Sequence, residues 1–364
     1  MLLKNRNWVY RRISDISEKI IAGGDKPKVF SEMMTDECYI PVYANGVYNN
    51  GLCGYTTIPI VKDECITISA RGTIGFCCVR TTPFTPIVRL IVVIPKSFIS
   101  NKFLCYALSN LNIEKNGGTI PQLTVPMIKE YTIPVPSIEE QSRIVEELDQ
   151  LSNIIEKKRQ QLSELDNLAQ SIFYDMFGDP VTNEKGWEVK SLKDVSTLLN
   201  GRAYKQPELL DEGKYKVLRV GNFFTNSTYY YSNLELEEDK YCDNGDLLFA
   251  WSASFGAFIW NGGKVIYHYH IWKVLFDEHF LNIVYYQYLL NMMSKSFMKD
   301  VHGIGMVHLT KNGMEQYNLP LPPLNLQQLF AQKIEAIEKE KELIKQSIKE
   351  TEELFNSRMD YYFG

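Results

Sequence analysis

The chain has 364 residues, 45% of them hydrophobic and 23% charged, with a formal net charge of −5. This is length for two ordinary domains and the composition of a soluble globular protein. No run reaches the roughly 18 unbroken apolar residues of a membrane span, the opening MLLKNRNWVY is too short an apolar run for a signal peptide, and seven scattered cysteines without a CxxC predict a reducing cytoplasm rather than a disulfide framework or zinc site.

In chain order, the first landmark is WVYRRISDIS at residues 8–17. Strand-like runs follow in ECITISARGTIGFCCVR and PIVRLIVVIP, between residues 64 and 95. The turn Ser69–Gly75 has Arg71 and Thr73 between small residues. A helical stretch is predicted near Asn101–Leu111, then the Gly-rich GGTIPQLT (117–124), with Gln122 and Thr124, and then Lys129. IPVPSIEEQSRI (133–144) closes this part. Its Ser137 and Glu140 form an S-x-x-E capping box, so a helix is predicted to start there.

That helix has apolar residues at alternating spacings of four and three, among them Leu148, Leu151, Ile155, Leu162 and Leu165, with charge on the other sides. A narrow seam of this kind, over about 39 residues and roughly 58 Å, predicts a coiled coil and calls for a partner helix. It ends at FGDP (177–180), and the landmarks then repeat. WEVKSLKDVS (187–196) lies over WVYRRISDIS at an offset of 179. AWSASFG (250–256) lies over SARGTIG at 181, and LPLPPLNLQQLF (319–330) over the Pro-x-Pro exit at 186. A second seam runs through Ile334, Ile337, Ile344, Ile348 and Phe355, and SRMDYYFG (357–364) falls on SIFYDMFG (171–178). The order is fixed along the whole chain, which argues for duplication.

The expected organisation is α+β, with two pseudo-symmetric domains at 1–137 and 179–323 separated by an antiparallel two-helix coiled coil of 138–178 and 324–364. The antiparallel arrangement follows from connectivity: by the repeat, the end of the second helix should return to Trp8. Lys158, Lys341 and Arg358 interrupt the seams at positions suited to fixing register. The edges of the copies agree and their centres do not, so one frame is expected to present two different surfaces. Charge differs too. Residues 1–137 carry 15 Lys+Arg against 10 Asp+Glu, residues 138–178 carry 4 against 9, residues 179–323 carry 14 against 17, and residues 324–364 carry 6 against 8.

The candidate nucleic-acid contacts are Arg71, Thr73, Gln122, Thr124 and Lys129 in the first copy. In the second they are Trp251, Ser252 and Ser254 in the matching turn, with His302, His308 and Lys311 in HGIGMVHLTK (302–311). Arg suits guanine or phosphate, Gln suits adenine, and Thr and His donate to either. The competing reading makes these stretches structural turns, and Trp251 core. His268 and His270 alternate in a strand-like run and read as strand histidines rather than metal ligands.

Signs of catalysis are few. There is no Walker loop, no GxGxxG and no HExxH. Asp179 with Glu188-x-Lys190 has the look of a nuclease fragment, but Val9-x-Arg11 in the other copy lacks the acid.

Taken in this order, the Trp boxes, IPVPSIEEQSRI and LPLPPLNLQQLF, ISARGTIG and LLFAWSASFG, and the FGDP junction resemble the specificity subunits of type I restriction–modification systems over nearly the full length. The resemblance implies a non-catalytic DNA-binding subunit whose two target recognition domains each read half of a split double-stranded sequence, with the coiled coil as ruler. It implies two methyltransferase subunits and restriction/translocase subunits as partners. S-adenosylmethionine, Mg²⁺ and ATP would belong to those partners, with no cofactor or metal in this chain. The acidic second domain departs from what DNA binding favours and predicts weak binding by the chain alone. A two-headed protein-binding scaffold is the alternative from another class. A piece of a fused enzyme is a third reading, against which the second repeat, running to Gly364, argues.

Overall fold

The structure is a computed structural model and describes residues 8–111, 113, 122–224, 228–252, 254–299 and 310–364. The chain forms two compact units. Unit 1 comprises Met1–Gln160 with Lys345–Gly364, and unit 2 comprises Gln161–Ile344. The division runs through both long helices, Ile138–Phe177 and Leu324–Phe363, so each unit owns part of each.

In unit 1, Val9–Arg12 pairs antiparallel with Thr132–Val135, joining the entry to the exit. A four-stranded antiparallel sheet has the order Ser17–Ala22, Ile91–Pro95, Cys65–Ile68, Cys77–Arg80. A smaller sheet contains Leu52–Thr56, Ile40–Tyr43 and Thr85–Pro86, the last pair parallel. The central strands read as unbroken apolar runs because both their faces are buried, and successive side chains alternate between two cores. Ile91 and Val93 face the larger core with Phe103, Leu104, Ile144 and Leu148, while Val92 faces Val61, Cys65 and Phe84.

Unit 2 repeats this topology. Glu188–Ser191 pairs with Asn318–Leu321. The four-stranded sheet has the order Ser196–Asn200, Ile271–Phe276, Leu247–Ser252, Ser254–Ile259. A second sheet again has one parallel pair, Tyr215–Leu218 with Val265–Tyr267. Leu247 and Phe249 face one core and Leu248 the other. Fold class and duplication therefore stand as the sequence predicts. Two strand-like runs are not continuous strands. PIVRLIVVIP and the run KVIYHYHIWKVLF (264–276) each break into two strands of different sheets, at tight turns closed by Leu90 N–H to Ile87 O (3.0 Å) and Ile271 N–H to His268 O (2.9 Å).

The Pro-x-Pro exits repeat because a buried glutamine does. Gln141 and Gln327 are each fully buried in the first turn of a long helix. Gln141 accepts from Ser100 N–H (2.9 Å) and donates to Phe98 O (3.0 Å) and Pro136 O (3.1 Å). Gln327 accepts from Asn282 N–H (2.8 Å) and donates to Phe280 O (2.9 Å) and Pro322 O (2.8 Å). One amide thus ties the exit to the start of the domain's own helix in each unit. Ser137 Oγ accepts from Glu140 N–H (3.3 Å) as a cap should, but the Glu140 carboxylate pairs with Arg143 instead of closing the box.

Within each unit the two helices run antiparallel. In unit 1 the end of the second helix packs on the start of the first: Met359 and Tyr362 join the Ile144 and Leu148 core, and Tyr362 stacks on Trp8 (6.3 Å). In unit 2, Phe173 and Phe177 meet Phe330 at 5.6 and 5.4 Å. Leu148, Ile155, Ile334 and Ile337 are buried, and Leu151, Leu162, Leu165, Ile344, Ile348 and Phe355 half-buried. The seam cations have partners on the facing helix. Lys158 Nζ donates to Thr351 Oγ1 (3.2 Å) and to Ser347, Lys341 pairs with Asp166 (2.7 Å), and Arg358 with Glu147 (2.9 Å). Each is a polar link in an apolar seam, and shifting the register by a residue would break it.

Candidate nucleic-acid interface

Each unit gathers its variable loops at the same end of the sheet. In unit 1 these are the hairpin tip 69–76, the turn Ile87–Leu90 and the stretch 122–124. Leu123 N–H donates to Ala70 O (2.9 Å). Asn45 bridges the other two, accepting from Ala70 N–H (2.7 Å) and donating to Val88 O (2.6 Å). At their meeting point lie three side chains. Arg71 donates from Nε (3.2 Å) and Nη2 (2.9 Å) to Gln122 Oε1, and Arg89 Nη1 reaches the same oxygen at 3.4 Å. Neither guanidinium has a carboxylate partner among the described residues.

The turn that carries Arg89 is strained. Val88 and Arg89 have φ of 52° and 60°, a left-handed pair of the kind usually given to Asn-Gly, and Val is among the residues least suited to it. Val88 N–H to Gly24 O (2.8 Å) and Arg89 N–H to Gly23 O (3.0 Å) hold it there. Gly23 permits the approach: a Cβ there would lie 2.7 Å from Ile87 N. Gly201 does the same in unit 2, where a Cβ would lie 2.3 Å from Tyr267 O. Of the other first-copy candidates, Thr73 and Lys129 are exposed. Thr124 is a helix cap, accepting from Met127 N–H (3.4 Å).

In unit 2 the hairpin ladder continues to Ser252↔Ser254, where unit 1 has already opened into its loop after Ile68↔Cys77. Trp251 N–H donates to His270 O (3.1 Å), its Nε1–H to Tyr269 O (3.0 Å), and its ring stacks on Trp272 (5.3 Å). Trp251 is thus half-buried and still at the variable end. Ser252 is buried, and Ser254 half-buried. Lys311 pairs with Glu315 (3.7 Å) behind the cap residue Thr310. His302 and His308 lie outside the described residues.

His268 and His270 occupy the turn rather than a strand face. They border a pocket of about 210 Å³ lined also by Arg219, Asn222, Thr228 and Tyr230. Burial, then the neighbouring His270 and Arg219, push the His268 pKa down to about 4, so its ring is neutral at pH 7. Arg219 lies over the Tyr230 ring at 5.4 Å. Other unit 2 cations are matched by acids: Arg202 with Glu208 (2.7 Å), Lys240 with Asp239 (2.5 Å) and Lys273 with Asp246 (2.7 Å). Glu208 is held down to about 2 by its bonds from Arg202 and the Lys205 amide. Among the described residues no group of three His, Cys, Asp or Glu is placed to hold a metal ion. None of the described helices is long and apolar enough to cross a membrane.

Arg89, Asn45, Arg219 and the glycine pair were not singled out in the sequence. A lone Arg inside PIVRLIVVIP, and a Gly in both copies at an offset of 178, were the available signals.

The profile of the type I restriction modification DNA specificity domain matches residues 5–167 and again 184–353. The chain belongs to this family. Family members are non-catalytic specificity subunits. A Mycoplasma pneumoniae protein assigned as a type I specificity subunit is 35% identical over 138 residues, 37% of this chain and 41% of that protein. The chain therefore spans less than half the length of this relative. Two solved structures share the fold. The type I restriction–modification S subunit of M. genitalium has a TM-score of 0.58 at 16% identity, covering 100% of this chain and 98% of that one. A chain solved in work on complex assembly and conformational transition of the type I restriction–modification system has a TM-score of 0.60 at 15% identity, covering 98% and 97%.

Proposed function

We propose that this specificity-domain chain gives a type I restriction–modification complex its DNA target. Each unit reads one half of a split double-stranded sequence. Two methyltransferase subunits and the restriction/translocase subunits join it in the cytoplasm, and they bring S-adenosylmethionine, Mg²⁺ and ATP. The observation that carries this reading is one topology built twice, with the same buried Gln staple and Gly crossover, under two loop sets that differ in charge and shape. A frame kept constant beneath divergent loops suits two different half-sites.

Within this reading the contacts come from Arg71, Thr73, Arg89, Gln122 and Lys129 in unit 1, and from Trp251, Ser254, Arg219 and the His270 turn in unit 2. Many unit 2 cations are already neutralised by acids, so few remain for phosphates, and binding by the chain alone is expected to be weak and salt-sensitive. Footprinting with and without the methyltransferase partner tests this. Protection of a split motif is expected with the partner, and its absence there would sink the proposal. The two long helices set the gap between the half-sites. Deleting one heptad from each should shorten the recognised gap by about three base pairs, at 1.5 Å per helical residue and 3.4 Å per base pair. An unchanged gap would exclude the helices as the ruler.

A further inference from the structure

We propose that Arg71 is the residue with which unit 1 reads a guanine; this rests on the function proposed above. Two guanidiniums converge on the single amide oxygen of Gln122, with no carboxylate partner among the described residues. Like charges brought this close are left waiting for an electron-rich acceptor. In unit 2, by contrast, Arg202 at the crossover is closed by a two-bond pair with Glu208.

The geometry selects the acceptor. Arg71 spends Nε and one Nη2 hydrogen on Gln122, which fixes the guanidinium plane. The end-on fork of Nη1 and Nη2 remains. Guanine presents two acceptors, O6 and N7, to such a fork in the major groove, and other base edges do not. A phosphate contact needs charge but no fixed plane. The support is itself costly: Val88 and Arg89 hold left-handed backbone, and strain of this kind persists where the surrounding structure imposes it, which is common at ligand sites. The tip is narrow, with Gly72 and Gly75 at φ of 67° and 90°, so Arg71 rides on a loop slim enough to enter a groove.

The rival account makes Arg71–Gln122 a structural tie between the hairpin and the stretch ahead of the next helix. Gln122→Met separates the two. It removes the acceptor that fixes the Arg71 plane; a merely structural tie would then weaken binding equally on all sequences, whereas a reader would lose guanine selectivity at one position. The experiment uses the full chain assembled with its methyltransferase partner. The motif is found by sequencing methylated positions in cellular DNA, and binding is then measured on duplexes carrying that motif, with 7-deazaguanine replacing each guanine in turn. For the wild type, one guanine is expected to be sensitive to loss of N7. Gln122→Met should lose selectivity at that position and leave the rest of the motif unchanged. Arg71→Lys keeps the charge without the fork, and should cut discrimination there by about 5- to 150-fold, leave the rest of the motif unchanged and leave the salt dependence unaltered.

A folded Gln122→Met variant with unchanged selectivity would overturn the proposal. So would an Arg71→Lys variant weakened equally on all sequences, which is the mark of a phosphate contact. If the wild type methylates without sequence preference, the proposed function itself fails. If it is specific but no guanine is sensed through Arg71, only this inference does.

Discussion

In unit 1 the turn between the two sheets is Ile87-Val88-Arg89-Leu90, with two left-handed residues and a guanidinium reaching Gln122. In unit 2 the same turn is His268-Tyr269-His270-Ile271, closed by the same hydrogen bond, with neither central residue left-handed and its rings gathered round Trp251. The main-chain bonds of the two frames match, at the turns and at the entry–exit strand pairs. Val88 N–H to Gly24 O corresponds to Tyr269 N–H to Arg202 O, and Ile13 N–H to Tyr131 O corresponds to Leu192 N–H to Tyr317 O. The lesson is a division of labour. Backbone hydrogen bonds, a crossover glycine and one buried glutamine hold the frame, so side chains at the loop end are free to differ.

The largest expected effect tests where the two frames are least alike. Phe173 is fully buried against Phe177, Tyr285 and Phe330, and its counterpart in unit 1 is Met359, 6% exposed. Phe173→Ala should cost about 4 kcal/mol in chemical denaturation, and Met359→Ala about 2 kcal/mol, because the aromatic site leaves the bigger cavity. Equal losses would show that the junctions are closer in energy than in chemistry.

The next tests where the frames are most alike. Gln141→Leu and Gln327→Leu each strand one buried N–H and two carbonyls, so each should cost about 3 kcal/mol. A large loss from one and none from the other, read by urea titration, would break the equivalence.

The smallest concerns pH. The folded-state pKa of His268, about 4, lies below its ordinary value of 6.5, so the unfolded chain takes up the proton first. Stability present above pH 6.5 is therefore lost as pH falls towards 4. His268→Ile, which installs the unit 1 residue, should remove that slope, a difference of about 1 kcal/mol at pH 5 after allowance for partial exposure. Identical pH profiles for wild type and variant would place the His268 ring in water.

Much of the frame was legible from the sequence. Repeat offsets revealed the duplication because the landmark residues are structural: Trp8 stacks on Tyr362, Trp187 Nε1–H donates to Phe177 O (2.8 Å), and the exit glutamines are staples. The 3–4 spacing exposed the helix seams. The broken strands were not legible. Residues buried on both faces give continuous apolar runs, and these hide a turn whose residues, Val88-Arg89 and Tyr269-His270, are not turn formers. The candidate interface was legible only in part. Arg71 and Gln122 stood out as residue types beside glycines, but their meeting across 51 positions is tertiary, as is the convergence of Arg89. Thr124 caps the next helix with its hydroxyl oxygen and keeps its O–H to donate, a double use that residue type alone does not reveal.

One hybrid puts the common frame and the divided reading to the same test. Residues 13–131 are replaced by a second copy of 192–317, joined at the matching Ile13–Tyr131 and Leu192–Tyr317 hydrogen bonds. Methylated positions are then sequenced in DNA from cells carrying the hybrid and its methyltransferase partner. If each unit reads its own half, the motif becomes an inverted repeat of the unit 2 half-site. A folded hybrid that still marks the original asymmetric motif would contradict the division of the target between the two units.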